Sequence, residues 1–561
     1  MAVVKLYRVT IIAPRNKLGS LLTSLLEFSW FHPSDREGLT QIPEIVILAS
    51  KAHEVYSEAG ILLGKIGPHV PSGVSLERFK AEDVFALVDE LHAEVEHAGR
   101  KVQQPLDDVD KVQSMARRLQ AIREVAHVLF LALRRFRFVP GLRRFVVVEG
   151  FTAREKVKEL SDKLSNYYVE SIPVEVTGPL EPYIPTLLSN PKFVSLFEEV
   201  TLSYGPPRYR DIDPTPLVAF VFPLLFGLII SDLGRGLMLI LGSLLTRRFK
   251  QHYWSKMLIV LGLSSSLFGL VSGNFLGIKI LGDQMLAAHS YYELTIEGIA
   301  FSLKLALFIG TVHLASAYLF STVSRILSED YSDGLLCQLP TFTLYSSSVA
   351  LALAFAGSDF NPTGLLVSER PMPIVKEIFG VEIPSGPVAS AASIVAAVSL
   401  FSLIFGRALL VLLRLKSPTR FLKGIGSSLF DMLLRPIEFL SNTLSYMRLG
   451  ILMVLDRYLT YLVSITLNLG LIGVLPFGVL NIAVTALEGL MVYIQDLRLH
   501  IYEWIPKTYL LGTPFKPLLT EATIYQISFA ATEKIGRAQS SRSQSSSQTG
   551  QTHHRIHHNL P

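Results

Sequence analysis

Residues 441–454 read SNTLSYMRLGILMV and set one arginine, Arg448, in a run that is otherwise apolar or small and polar. With its flanks the run covers 429–468, longer than the roughly 20 residues a membrane-spanning helix needs. A guanidinium at mid-bilayer costs about 2.5–3.5 kcal/mol on insertion scales, so its presence demands a reason. The choice between membrane and water organises the rest of the chain too. Half of the 561 residues are apolar and 18% are charged, against roughly 25% charged in soluble proteins, and mean hydropathy is +0.40. That average hides a division, because residues 1–210 carry most of the charge while 215–510 hold a series of long apolar runs. The chain reads as an integral membrane protein with a soluble N-terminal part.

Outward from Arg448, the apolar segments fall at 216–245, 257–281, 299–324, 341–357, 389–413, 429–468 and 472–508. The last two are long enough to be strongly tilted. Two connections are basic: Arg247, Arg248, Lys250 and Lys256 in one, Arg414, Lys416, Arg420 and Lys423 in the other. The positive-inside rule puts both in the cytoplasm, and the four segments between them agree. The start, MAVVKLYRVTIIAPRNK, lacks a long apolar core with a small-residue cleavage site and reads as a strand rather than a signal peptide. A soluble N-terminal domain then stays in the cytoplasm, so the first apolar segment must turn back on itself. SDLGRG (231–236), with two glycines, Asp232 and Arg235, is the expected place. Two short helices or a re-entrant hairpin there give about eight crossings, with both ends of the chain cytoplasmic.

In the soluble part, 5–14, 42–50 and 143–151 read as strands, with helices at 16–29 and 152–166 and a further extended piece at 172–177. Residues 76–136 are helical with alternating charge and a break near Gln104-Pro105. The expected fold is therefore two small α/β lobes joined by a long helical hairpin (1–210), then an all-α polytopic membrane domain (211–515). A C-terminal extension (516–561) follows, with a Ser/Gln/His-rich tail expected to be disordered from about 536. The single cysteine, Cys337, excludes an internal disulfide and a CxxC metal site. A net charge of +5 gives no case for nucleic acid, and no cofactor or metal site is expected.

At about 100° per residue, Glu438, Ser441, Ser445, Arg448 and Asp456 fall on one face of a continuous 429–468 helix. On the final segment Glu488, Gln495, Arg498 and Tyr502 lie within about 80° of one another, Asp496 points elsewhere, and Glu503 is near the cytoplasmic end. One reading is a set of interhelical salt bridges. The other is an ion path, with carboxylates relaying protons and an arginine as fixed positive barrier, a role suited to a group that keeps its proton.

LSNTLSYMRL (440–449) with LEGLMVYIQDLRLHIYEW (487–504) resembles the last two membrane helices of subunit a, also called subunit I, of the V-type and archaeal A-type rotary ATPases. DPTPLVAFVFPLLFG (213–227), SDLGRG, FGLVSGNFLG (268–277), GTVH (310–313) and GTPFKPL (512–518) match in order. The resemblance implies a stator subunit pressed against a rotating ring of proteolipid subunits, each with an ion-binding carboxylate. Arg448 would face that carboxylate and separate two aqueous half-channels, with Arg498 as its partner arginine. Glu488 would lie on the outer half-channel, and Asp456 stands where eukaryotic relatives carry a histidine. Glu438, Ser441 and Ser445 would line the cytoplasmic half-channel, and Gln495 and Glu503 complete the polar path. The N-terminal domain would dock peripheral-stalk subunits and the central-stalk collar subunit.

Ser231-Asp232 and Arg235 stand where the family usually has Gly-Asp and an aromatic or histidine, and Asn274 where an acid is common. These departures leave the Asp232 and Asn274 regions without an essential role carried over from the family. The chain has no GxxxxGK[ST] phosphate loop, so it would be a non-catalytic subunit for proton or sodium movement. A secondary transporter remains the alternative, although no repeat of the broken hairpin is present. A membrane-anchored scaffold is a third, which leaves the polar stripes unexplained.

Overall fold

The computed structural model describes residues 3–66, 77–102, 109–174, 183–249, 252–279, 295–361, 365–366, 368–415, 418–519 and 525–529. The break near Gln104-Pro105 and the tail from 536 lie outside these residues. The chain divides into two compact units, one of Val4–Leu187 with the segment from Thr513 onward, the other of Leu188–Gly512.

The first unit is built on one four-stranded sheet of order β2-β4-β1-β5. Its strands are β1 (Leu6–Pro14), β2 (His32–Pro33), β4 (Phe145–Ala153) and β5 (Tyr168–Pro173), while β3 (Glu77–Ala81) pairs separately with a strand at Tyr525–Phe529. β1 and β4 pair antiparallel over nine residues, from Leu6 opposite Ala153 to Pro14 opposite Phe145. Each is followed by a 3-10 turn and a helix, α1 (Leu18–Phe28) after β1 and α5 (Val157–Lys163) after β4. The two expected α/β lobes therefore share a single sheet. Alternation explains β1, whose Val9, Ile11 and Ala13 are buried under α1 residues Leu21, Leu22, Leu25 and Leu26.

The expected strand at 42–50 is instead the start of a helix, α2 (Pro43–Ile66). Its buried residues Ile45, Leu48, Ala49, Ala52, Val55, Ala59 and Leu62 recur at helical, not strand, spacing, and Pro43 at the first position suits a helix start. A nine-residue apolar window ending at Ser50 cannot show this period. α2 packs with α3 (Val84–Val102) and α4 (Val109–Arg135), so the helical arm is a three-helix assembly rather than a hairpin. The segment after Thr513 closes this unit. Leu518 N donates to Ser29 O at 2.7 Å, and Arg135 donates to Lys516 O and Pro517 O.

The second unit is helical: α6 (Glu198–Tyr204), α7 (Thr215–Ile229), α8 (Leu233–Arg248), α9 (His252–Ser272), α10 (Ile296–Leu327), the single turn α11 (Tyr331–Asp333), α12 (Leu339–Gly357), α13 (Pro373–Phe379), α14 (Ser385–Leu415), α15 (Pro418–Ser445), α16 (Met447–Ile465), α17 (Val474–Arg498) and α18 (Ile505–Thr508). Five stretches among the described residues are long and apolar enough to cross a membrane: Tyr253–Ser272, Ile296–Leu327, Tyr331–Gly357, Ser385–Gly406 and Leu434–Thr508. The unit is apolar on its outside and buries polar and charged groups within its apolar core. Phe220, Leu241, Leu267, Ile394, Val398 and Phe401 are each at least 63% exposed, while Arg235, Asp496 and His500 are 0% exposed. That arrangement fits a hydrocarbon surround rather than water.

The first apolar segment is interrupted where the sequence placed the break, between α7 and α8 at Ile230–Asp232. α8 then packs antiparallel to α9. Methyl groups at Gly269 and Gly236 would collide with the backbone of Leu233 and of Gly262, so the two helices touch backbone to backbone.

Candidate functional site

The site starts at the α7–α8 break. Asp232 is the N-cap of α8: its Oδ1 accepts from Arg235 N at 3.0 Å, the arrangement that satisfies an orphan helix-start N–H. The same oxygen accepts from Leu276 N at 2.8 Å, and Oδ2 accepts from Gly277 N at 2.8 Å. Leu276 and Gly277 have φ of +50° and +81°, a tight turn that positions few side chains comfortably. One carboxylate thus fixes the start of α8 and the turn after α9.

This fixes Arg235, three residues on and 0% exposed. Its Nη1 donates to Asp456 Oδ1 of α16 at 2.6 Å and to Glu488 Oε2 of α17 at 2.8 Å. Asp456 and Glu488 are 7% and 1% exposed. Two acids meet one guanidinium nitrogen, joining three helices. Its Nε and Nη2, and Glu488 Oε1, are buried with no protein partner. Low local dielectric makes such a cluster strong when balanced and expensive when a member is removed.

Arg448 is placed differently. α15 ends at Ser445 and α16 begins at Met447, with a turn at Tyr446 between them. Tyr446 is fully buried, and a methyl at Gly310 of α10 would strike its ring. Arg448, two residues beyond the turn, is half-buried; its Nη2 donates to Ser445 Oγ at a long 3.3 Å, and Nη1 is buried without a protein partner. Ser445, Arg498 and Arg448 surround the carboxyl of Glu503, which is 5% exposed.

An apolar cavity of about 730 Å³ lies nearest this turn, with Thr443 and Leu444 in its wall, and two more polar ones lie further along α15 and α16. One of about 370 Å³ is lined by Leu434, Arg435, Glu438 and Phe439 of α15, with Arg325, Gln338 and Lys507 among the others. The second, of about 1010 Å³, is lined by Ser231, Asp232, Asn274 and α16 residues from Ile451 to Ser464, Asp456 included. Arg448 lines neither.

The residues singled out in the sequence divide accordingly. Glu488, Asp456, Asp232 and Arg235 converge. Glu438 pairs with Lys507 on the smaller cavity, while Ser441 and Arg498 are exposed and Gln495 is half-buried with its Nε2 unpartnered. Tyr446 keeps helical backbone angles (φ −73°, ψ −16°) but switches locally to i→i−3 hydrogen bonds, so the 429–468 segment is irregular between Ser445 and Arg448. Within the Ser231–Arg235 departure from the family, whose essential role the sequence leaves in doubt, Arg235 stands at the centre of the buried charge cluster. Asp496, set aside as pointing elsewhere, is fully buried with His500 Nδ1 3.2 Å from its Oδ1.

A helical unit with an apolar exterior, five stretches able to cross a membrane and charged groups buried among its helices is that of a polytopic membrane protein. Residues 70–258 match the V-type ATPase 116 kDa subunit family. The chain is 26% identical over 418 residues to the A-type ATP synthase subunit I of Aeropyrum pernix, covering 68% of this chain and 58% of that protein. It is 28% identical over 404 residues to the subunit I of Pyrococcus abyssi (66% and 53%) and 25% identical over 434 residues to that of Saccharolobus solfataricus (68% and 61%). The matches thus span little more than half the length of these relatives. They bear out the kinship read from the sequence: the chain is a relative of subunit a (subunit I) of the V-type and archaeal A-type rotary ATPases.

Proposed function

We propose that the chain is the stator subunit of a rotary ATPase membrane motor. It provides two aqueous half-channels and an arginine barrier for a proton or sodium ion moving against a rotating proteolipid ring. Ion flow is thereby coupled to ATP synthesis or hydrolysis in a soluble head. The observation that carries the reading is the position of Arg448 between two cavities on successive stretches of one helical segment, with a guanidinium nitrogen that no protein group satisfies.

In this reading the ring carboxylate, deprotonated, is drawn to Arg448 and passes it only without its proton. A bare carboxylate facing lipid is expensive, so it must be protonated before leaving the stator. The offset between the two cavities then forces net movement. The larger cavity is the outer half-channel, and the Arg235–Asp456–Glu488 cluster is its inner end. A cluster of two carboxyls and one guanidinium is neutral when it holds one proton, so it can pass one on at a time. The smaller cavity, at Glu438 and Lys507, is the cytoplasmic half-channel. About eight crossings place the soluble unit and the C-terminal end on the cytoplasmic side, where the N-terminal lobe region docks peripheral-stalk and collar subunits.

The test is ATP-driven ion pumping by the assembled complex reconstituted in vesicles. Arg448→Ala and Arg448→Lys abolish coupled pumping if the barrier assignment holds, and normal coupling in either variant would sink it. A cysteine placed at Arg248 labels only from the cytoplasmic side if the hairpin topology holds.

A further inference from the structure

Behind Arg448, on α10, lies a second buried polar group that the ion path does not use. His313 Nδ1 is 2.8 Å from Tyr446 Oη. The His313 ring stacks on Trp504 with centroids 5.5 Å apart and planes within 6°, and Trp504 Nε1 donates to Ser316 Oγ at 3.1 Å. The His500 ring centroid is 5.0 Å from that of His313 and 6.4 Å from that of Trp504. His500 Nδ1 is 3.0 Å from Asp496 O, and the Nε2 atoms of both histidines are buried without a protein partner. His313, Tyr446, His500 and Trp504 are at most 5% exposed.

The chemistry of the donors orders these contacts. A backbone carbonyl only accepts, so His500 Nδ1 carries the hydrogen and its Nε2 is an acceptor. The tyrosine hydroxyl can donate to His313 Nδ1, which leaves the hydrogen of a neutral His313 on Nε2. A donor and an acceptor, each buried and without a protein partner, then belong to rings whose centroids lie 5.0 Å apart, near enough for one water to join them. The two hydrogen bonds present run from Tyr446 to His313 and from His500 to Asp496.

We propose that His313 is a positioning residue for Arg448. It locks the Tyr446 turn to the final helix through α10, so that the segments bearing Arg448 and Arg498 keep one register against the load of a turning ring. This rests on the reading of Arg448 as the barrier. Arg448 itself receives no bond from His313; the effect passes through the backbone of the turn, two residues away.

The experiment uses the complete complex in vesicles, measuring ions pumped per ATP together with passive ion leak. Tyr446→Phe, which keeps the ring seated against Gly310 and removes only the hydroxyl, lowers the coupling ratio roughly tenfold. His313→Leu does the same, and the double variant loses no more than the worse single one, the signature of two residues acting through one bond. His313→Gln, which can accept at one end and donate at the other, restores most of the coupling. Additive losses, full coupling in Tyr446→Phe, or His313→Gln no better than His313→Leu would each overturn the proposal. So would failure of Tyr446→Phe to assemble, since its packing is unchanged. Normal pumping by Arg448→Ala would instead remove the barrier reading, whereas inactive Arg448→Ala beside unaffected Tyr446→Phe would remove this inference alone.

Discussion

Arg235 and Arg448 are two arginines of the same helical unit in opposite circumstances. Arg235 is sealed from its surroundings and holds two acids from two other helices on a single nitrogen. Arg448 is half-buried, its one side-chain hydrogen bond is a long one to Ser445, it shares the Glu503 carboxyl with Arg498, and it keeps one nitrogen without a protein partner. A guanidinium bonded to two buried acids holds structure together. One that shares a single acid with a second arginine has hydrogen-bonding capacity to spare. The proposed roles, cohesion for Arg235 and encounter with a ring carboxylate for Arg448, rest on that difference in neighbours.

That contrast can be broken most sharply at Arg448. Arg448→Ala leaves assembly and thermal stability close to those of the parent while coupled ion pumping by vesicle-reconstituted complex falls to background. A large loss of stability would mean that Arg448 serves cohesion after all. At Arg235 the order of effects reverses. Arg235→Met strands two buried carboxyls and costs about 3–5 kcal/mol, read as a fall in the unfolding midpoint or in the yield of assembled complex. A stable Arg235→Met that has merely lost activity would erase the distinction between the two arginines.

A smaller change sharpens the cohesive side. Asp232→Asn keeps one oxygen for both Arg235 N and Leu276 N but loses their charge assistance and turns an NH2 toward Gly277 N, costing about 1–2 kcal/mol in thermal unfolding. The smallest test carries the comparison into the soluble unit, where His32 is buried beside Arg135. Burial, and then the Arg135 charge, lower its pKa from the usual 6.5 to about 3. Stability from this residue is complete above pH 6.5. It declines as the pH falls toward 3, because the unfolded chain takes up a proton that the folded one refuses. The slope is about 1.4 kcal/mol per pH unit. His32→Asn, which retains an acceptor for Lys516 N, flattens that part of the unfolding curve relative to the parent.

Much of this architecture was written in patterns that need no tertiary information. The apolar runs are long, their interruption at SDLGRG is abrupt, and the β1 and β4 alternation is regular over nine residues. What stayed hidden depends on context. The start of α2 is apolar enough to imitate a strand until the period beyond Ser50 is included. That β1 and β4 share a sheet is a pairing 139 residues apart at its centre, from Thr10 to Glu149, which no local window contains. Projecting 429–468 as one regular helix misses the local tightening at Tyr446, whose ring lies against Gly310 of another helix, a contact no local window contains. The arginine motif was legible; the partner of its acids was not, since Arg235 lies more than 200 residues upstream of Asp456.

The segment after Thr513 sets a timetable for the soluble unit. Lys516 N donates to His32 Nδ1 across 484 positions of chain, so the first stretch synthesised waits for one of the last before its surface is closed. At about 5–20 residues per second the interval is roughly half a minute to a minute and a half. Throughout it, Trp30 and His32, which finally rest against Phe515, stand uncovered. A ribosome stalled inside the apolar segments would therefore leave the nascent sheet with an open side at Trp30 and His32.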